Sequence, residues 1–275
     1  MLYLPFDGKN SPSIPFTLNR ASPQAAGLVG WWPTVQASGG FAREYTSNFH
    51  ATAAGAGTTV PSVTFDPVVG PMLSYDGSDD YLEALGSTKI RVPDALTLAA
   101  WVKPTDFANY AMICTKNPMN GDSSNLAGDW EWRTDPGTGQ VIFLHQTGAG
   151  AFSSYSGPTL SSGTLYHLAV TLVEGGNVVF YVNGLATTTT AQSGAFGVGN
   201  DNTVLIGRRR DGNYFKGLIG DLRIYNRALS AAEIWSLYAP QTRWDLYRVT
   251  PFAGAPSIAA TVVSGAIRMP LLGVG

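Results

Sequence analysis

The chain carries a single cysteine, Cys114, in 275 residues. No intrachain disulfide can form, so the fold must stand on its own apolar core, which a chain of this length can build. Cys114 follows the apolar run 111–113, the setting of a buried structural thiol rather than an activated nucleophile. Charge is also scarce: 13% of residues are charged, against roughly 25% in an ordinary soluble domain. The net charge of −2 leaves no basic stripe for nucleic acid or an anionic membrane. The one basic run, Arg208-Arg209-Arg210, lies between Gly207 and Asp211 and reads as a solvated loop tip. The N-terminus lacks the basic start and apolar stretch of a signal peptide. No apolar run is long enough to cross a bilayer. A surface so poor in charge is either polar and uncharged or covered by a partner.

What is present points to β structure. Glycine (32), proline (17), tyrosine (12), phenylalanine (12) and tryptophan (7) are abundant. Short apolar or alternating runs are predicted as strands at 28–32, 73–85, 97–102, 130–132, 141–145, 204–207 and 218–225. The clearest hairpin joins 166–172 to 178–182 through Glu174-Gly175-Gly176-Asn177, whose glycines supply the positive φ of a tight turn. Asn183-Gly184 then turns the chain into 185–188. One helix is predicted over 230–238: Ser230 and Glu233 form a capping box, and Ile234, Leu237 and Tyr238 share an apolar face. Residues 1–26 carry Pro5, Pro12, Pro15 and Pro23 and are predicted to be an extended arm.

Five segments, in order, carry a resemblance. LSYDGSDDYL (73–82), LAAWVKP (98–104), YHLAVT (166–171), FYVNG (180–184) and GLIGDLRIYNRALS (217–230) resemble the signatures of the laminin-G-like, concanavalin A-like jelly roll. The resemblance spans roughly residues 28–238. It implies an all-β, concanavalin-like (laminin-G-like) jelly-roll sandwich with one short C-terminal helix and extended terminal arms. The expected organisation is an arm at 1–26, the sandwich at 27–239 and a β tail at 240–275. Such folds host lectins, glycan-binding modules, protein-binding modules and some hydrolases, so function has to come from a site.

Catalysis finds little support. A glycosidase on this fold would place carboxylates alternating on one strand, and no Glu-x-Asp-x-x-Glu cluster occurs. Asp76, Asp79, Asp80 and Glu83 belong to the fold motif around a turn. His50, His145 and His167 are scattered, and His167 takes the family's strand position. The chain is therefore expected not to be an enzyme, with no cofactor beyond a structural Ca²⁺ that the resemblance implies. Its ligands would be Glu44 and Asp221, although Gly220 stands where the family carries an aspartate. For a glycan face the candidates are Trp130 and Trp132, on one side of a strand, with Asn109, Tyr110, Asn125, Tyr155, Asn213 and Tyr214 in loops. The two tryptophans could equally fill the core beside Trp101.

The flanks suggest protein partners. Leu2, Leu4, Phe6, Ile14 and Phe16 in the first arm are available to dock, as are Trp244, Ile258, Val262, Ile267 and Leu271 after the sandwich. Residues 258–263 and 266–272 read as apolar strands that would aggregate in a free monomer unless a neighbouring subunit pairs with them. A jelly roll followed by RWDLYRV (243–249) and a short β tail resembles laminin-G-like proteins encoded by tailed bacteriophages. That resemblance implies a non-enzymatic virion structural protein, either capsid decoration (cement) or tail-associated. It would be a homo-oligomer assembled in the host cytoplasm and anchored by its arms to copies of itself and other virion proteins. The alternatives are a carbohydrate-binding module for host or environmental glycans and a concanavalin-fold glycoside hydrolase.

Overall fold

The structure, a computed structural model, describes residues 16–34, 41–47, 50–53, 60–86, 90, 94–116, 130–148, 151–196, 203–209 and 212–249. Its strands in chain order begin with β1 (Phe16–Leu18), β2 (Leu28–Trp32), β3 (Phe41–Ala42), β4 (Ala51–Thr52), β5 (Ser62–Asp66), β6 (Gly70–Asp76) and β7 (Leu82–Ala84). They continue with β8 (Ala95–Pro104), β9 (Ala111–Lys116), β10 (Trp130–Thr134), β11 (Gln140–Gly148), β12 (Ala151–Thr159), β13 (Tyr166–Val173) and β14 (Asn177–Val182). The last are β15 (Leu185–Ala191), β16 (Val204–Ile206), β17 (Arg208–Arg209), β18 (Gly212–Tyr214), β19 (Lys216–Tyr225) and β20 (Tyr247–Val249). The helix α1 spans Ala231–Tyr238.

Two antiparallel sheets face each other. The first runs β15-β14-β13-β8-β19-β6-β5, with β2 also paired to β19; the second runs β12-β11-β10-β9-β16-β7-β4-β3. This is the concanavalin-like jelly-roll sandwich that the sequence motifs implied. Its core lies between the sheets, where period-2 strands turn one side inward: Leu98, Ala100 and Val102 from β8, Leu168, Val170 and Leu172 from β13, and Trp130 and Trp132 from β10. Burying each such large side chain contributes roughly 1.5–3 kcal/mol.

The outer face of the first sheet is covered as well. The helix lays Ile234 and Leu237 against Ala99, Ala169, Tyr181 and Tyr225. Its start is fixed by the capping box, in which Ser230 Oγ accepts from Glu233 N and the Glu233 carboxylate accepts from Ser230 N. Gly184, at the turn after β14, has φ +81°, and a Cβ there would sit 2.7 Å from the Trp235 ring of this helix. Beside the helix, Phe16 joins Trp31, Met72, Trp101, Trp244, Leu246 and Tyr247 in a second cluster.

Phe16 and Trp244, expected among the assembly contacts, are thus taken up inside this chain: both are buried, and β1 pairs with β20. Residues 16–26 and 240–249 pack on the sheet instead of extending from it. The other expected arm contacts, Leu2, Leu4, Phe6, Ile14, Ile258, Val262, Ile267 and Leu271, lie outside the described residues. Among the described residues no helix is long and apolar enough to cross a membrane.

Candidate functional site

Most residues expected to meet a glycan are placed elsewhere by the sheets. Trp130 and Trp132 are fully buried between the sheets. Their shared side of β10 is the inner one, so they form no sugar platform. Tyr155 is also internal: it stacks on His145, and its hydroxyl accepts from Ser193 N at 2.9 Å. Tyr110 is half-buried, with the Arg133 guanidinium 4.3 Å and the Arg209 guanidinium 5.7 Å from its ring. Both arginines approach the buried Glu131 carboxylate, at 3.5 and 3.7 Å. The expected basic loop tip is thus partly structured, since Arg208 and Arg209 form β17 and pair with β18; Arg210 lies outside the described residues. Arg208 holds its guanidinium 4.4 Å from the Tyr81 ring and 5.2 Å from that of Tyr214. Asn213 is half-buried with φ +58°, while Asn125 is outside the described residues.

The expected calcium ligands do not fit an ion. Glu44 is fully buried; its Oε1 accepts from Trp31 N and Thr46 N, and its Oε2 from Ser47 N. Asp221 Oδ1 accepts from Trp31 Nε1 at 2.7 Å, and Oδ2 from the Arg223 guanidinium at 2.6 and 3.1 Å. A calcium site asks for oxygens converging on open space. Here N–H donors occupy those directions, and the guanidinium beside Asp221 would repel a cation. The two carboxylates grip Trp31 from its backbone and its indole ends. A bulge in β19 between Gly220 and Arg223 turns Asp221 and Arg223 outward, with Asp221 at φ +49°. Arg223 goes on to donate to Gln24 Oε1 at 2.8 Å and to the Arg243 carbonyl at 3.0 Å, tying both flanking segments to the sandwich.

Asn109 and Tyr214, by contrast, meet in one place. An open polar cleft of about 160 Å³ lies at one end of the first sheet, lined by Asp76, Ser78, Asp106, Asn109, Tyr214 and Lys216 among others. Strand register assembles it. Lys216 sits opposite Asp76 across β19 and β6, and Gly217 opposite Pro104 across β19 and β8. The 77–80 turn and the 105–110 loop therefore flank Lys216. Gly77, at φ +84°, makes that turn; a Cβ on it would press on the Lys216 side chain at 2.8 Å. Lys216 Nζ reaches Asp106 Oδ2 at 3.1 Å, and Asp106 Oδ1 accepts from Ala108 N.

The charge state of the cleft follows from these contacts. The Asp106 carboxyl is held below its usual range by the Ala108 amide and then by Lys216. At Asp76 burial works upward, but the amides of Ser78, Asp79 and Asp80 outweigh it and the carboxyl is lowered. Both are anions at neutral pH. Asp76, Asp79 and Asp80 bring oxygens within 4.8 Å of one another. The turn itself accounts for that grouping, because Asp76 Oδ1 accepts from Ser78 N and Asp79 N, and Asp80 Oδ2 from Asp76 N. The cleft thus offers two carboxylates, an amide, a hydroxyl, an ammonium and a phenol ring, a set suited to hydrogen-bonding and stacking on a polyhydroxylated ring.

Sequence reasoning missed Asp76, Ser78, Asp106 and Lys216 as cleft residues. Asp76 and Ser78 were legible only as part of a fold motif, and Asp106 and Lys216 are brought near them by pairing of strands remote in sequence.

Comparisons with known proteins agree with the fold. Domain 4 of AbnA, a GH43 extracellular arabinanase from Geobacillus stearothermophilus solved with arabinotriose, superposes with a TM-score of 0.60 at 20% identity. That match covers 78% of this chain and 99% of the other. The botulinum neurotoxin serotype G binding domain superposes with a TM-score of 0.56 at 17% identity, over 77% of this chain and 50% of the toxin domain. A botulinum neurotoxin type C structure, described for cell entry dependent on two ganglioside molecules, gives a TM-score of 0.56 at 14% identity over 80% and 52%. The chain therefore spans about half the length of those toxin domains. Curated protein sequences give no match. Residues 76–235 match the Laminin_G_3 family, and the chain belongs to the concanavalin A-like lectin/glucanases superfamily that this family represents.

Proposed function

We propose that the chain is a non-enzymatic carbohydrate-binding module that holds a sugar ring in the cleft beside Tyr214. The observation that carries this reading is the convergence of Asp76, Ser78, Asp106, Asn109, Tyr214 and Lys216 on one open polar cleft. At about 160 Å³ the cleft is smaller than the roughly 300–1,000 Å³ of drug-sized ligand sites, so it takes one ring or a chain end. The similar arabinanase domain was solved with arabinotriose, and the similar type C toxin is described with gangliosides; both support a sugar ligand. A non-catalytic role is supported by the carboxyls themselves. A glycosidase needs one carboxyl held protonated at neutral pH, whereas Asp76 and Asp106 are both shifted the other way.

The test is a broad glycan array, carrying arabino-oligosaccharides and ganglioside head groups, probed with the native chain, Tyr214→Ala and Asn109→Ala. Binding by the native chain that weakens about 5–30-fold in Tyr214→Ala is expected, equivalent to roughly 1–2 kcal/mol of lost stacking and hydrogen bonding. Silence of the native chain across the array sinks the reading.

A structural role in a phage virion is the second reading. One observation favours it: β1 and β20 pair with Phe16 opposite Val249, so the described chain begins and ends at neighbouring points. Two ends at one place suit an anchor. Labelling of intact virions with an antibody against this chain tests that role, and unlabelled virions would end it.

A further inference from the structure

We propose that β5 is a self-association edge, at which a second copy of this chain adds its own β5 in antiparallel register. The strand ends the first sheet. It pairs with β6 on one side, and among the described residues nothing pairs with its other side. Ser62, Val63, Thr64 and Phe65 are all exposed, Phe65 to 72% and Val63 to 48%. Register with β6 sets Val63 beside Leu73 and Phe65 beside Pro71, on the side that faces the core. The opposing sheet leaves them uncovered. β12 approaches β14 and β15 at the other margin, so β3 and β5 share this one, and Phe41 of β3 is exposed here as well. Val60 and Val68, just outside β5, complete an apolar rim.

An edge strand of a lasting monomer is normally guarded by lysine, a bulge or a covering segment. Residues 62–65 carry no charge, and the β5–β6 ladder runs without a register shift. The one acid of the strand, Asp66, is turned back onto the amides of Val68 and Val69. The other end strand of the same sheet, β15, exposes Leu185 at its start, but its exposed middle is the polar Thr187, Thr189 and Thr190, where β5 has Val63 and Phe65.

The pattern fits an identical partner. A two-fold axis through Thr64, perpendicular to the sheet, sets Val63 of one copy against Phe65 of the other, twice, on the same face. Asp66 falls opposite Ser62, so no like charges meet. Identical strands place a central charge against itself. Neutrality at Thr64 is therefore a condition that self-pairing imposes and pairing with a foreign strand does not. Pro61 and Pro67 lie just outside the strand and stop the ladder at its ends. The rim side chains expose on the order of 400 Å² per copy, about half the roughly 800 Å² per partner of a standard interface. Backbone pairing adds to this, and the result is a modest, concentration-dependent dimer.

The test uses the full chain in sedimentation velocity over a range of concentrations. A dimer is expected whose mass halves in the Val63→Lys/Phe65→Lys variant, with glycan binding unchanged and, at dilutions where both chains are monomers, the same thermal midpoint. Separately, Thr64→Cys under mild oxidant is expected to give a covalent dimer. Facing Cα atoms at the two-fold axis lie about 4.5–5.5 Å apart, within disulfide reach, and the native thiol of Cys114 is buried. A native chain that stays monomeric at the highest concentration overturns the proposal. So does an association that survives both lysines while Thr64→Cys remains uncross-linked. If the lysine variant fails to fold, the cysteine result decides alone.

Discussion

Replacing Asp221 by asparagine removes one charge from a buried ion pair and little else. Asparagine tolerates the left-handed backbone that Asp221 adopts at φ +49°, and its carbonyl oxygen can still accept the Trp31 indole N–H now 2.7 Å away. What disappears is the anion facing Arg223, whose side chain is 1% exposed and 2.6 Å from the carboxylate. Gln24 and the Arg243 carbonyl continue to accept from the guanidinium, but neither is charged. Removing one partner of a buried pair costs about 3–5 kcal/mol, because the other charge stays in a low-dielectric setting. In a domain of this size 1 kcal/mol moves the midpoint by about 2–4 °C, so a fall of roughly 6–20 °C is expected in calorimetry. The loss should change little between low and high salt, since a buried pair is poorly screened. Asp221→Asn combined with Arg223→Met should recover part of it, because the lone charge is then gone. A loss below about 1 kcal/mol in Asp221→Asn would refute the role given to this pair.

Three further outcomes follow from the same packing. His167 lies against Trp101 and Tyr238, and burial, then the charges of Arg223 and Arg243, push its pKa from 6.5 down to about 3. Its folded form is thus held neutral: stability is full above pH 6.5 and falls as pH drops toward 3, by at most about 1.4 kcal/mol per pH unit for this proton. Urea unfolding between pH 7.5 and 5 should show that slope and His167→Phe should reduce it; an unchanged slope counts against the assignment. Because Glu44 and Asp221 already face N–H donors, chelator and added calcium should leave the melting midpoint of the native chain unmoved, and a calcium-dependent rise would contradict this. Gly184→Ala has to strain a positive φ and displace the Trp235 ring, so a destabilisation of about 1–3 kcal/mol is expected by denaturant titration, whereas a neutral effect would show that the turn gives way freely.

Much of the fold was legible because local chemistry and tertiary role coincide in it. β2 was predicted at the residues it occupies, Gly175 turns the β13–β14 hairpin with φ +69°, and the Ser230 capping box starts α1. Strands without such agreement were missed. β12 reads AFSSYSGPT, an edge strand that is half exposed and broken in propensity by Gly157 and Pro158, and β5 is a short run between prolines. Trp130 and Trp132 illustrate a different limit. Period-2 spacing puts them on one face of β10, but only the second sheet decides that this face is the core. The cleft was legible only through Asn109 and Tyr214. Its other members sit at 76–78, 106 and 216, and the sheet order β6-β19-β8 that joins them is a non-local fact.

The central claim is that the sugar site is the Tyr214 cleft. Its most direct test is chemical-shift mapping of the isotopically labelled chain against the best ligand from the array. Perturbations confined to Asp76–Ser78, Asp106–Asn109 and Tyr214–Lys216, and abolished in Tyr214→Ala, are what this account predicts. Saturable binding that perturbs another face of the sandwich and persists in Tyr214→Ala would contradict it.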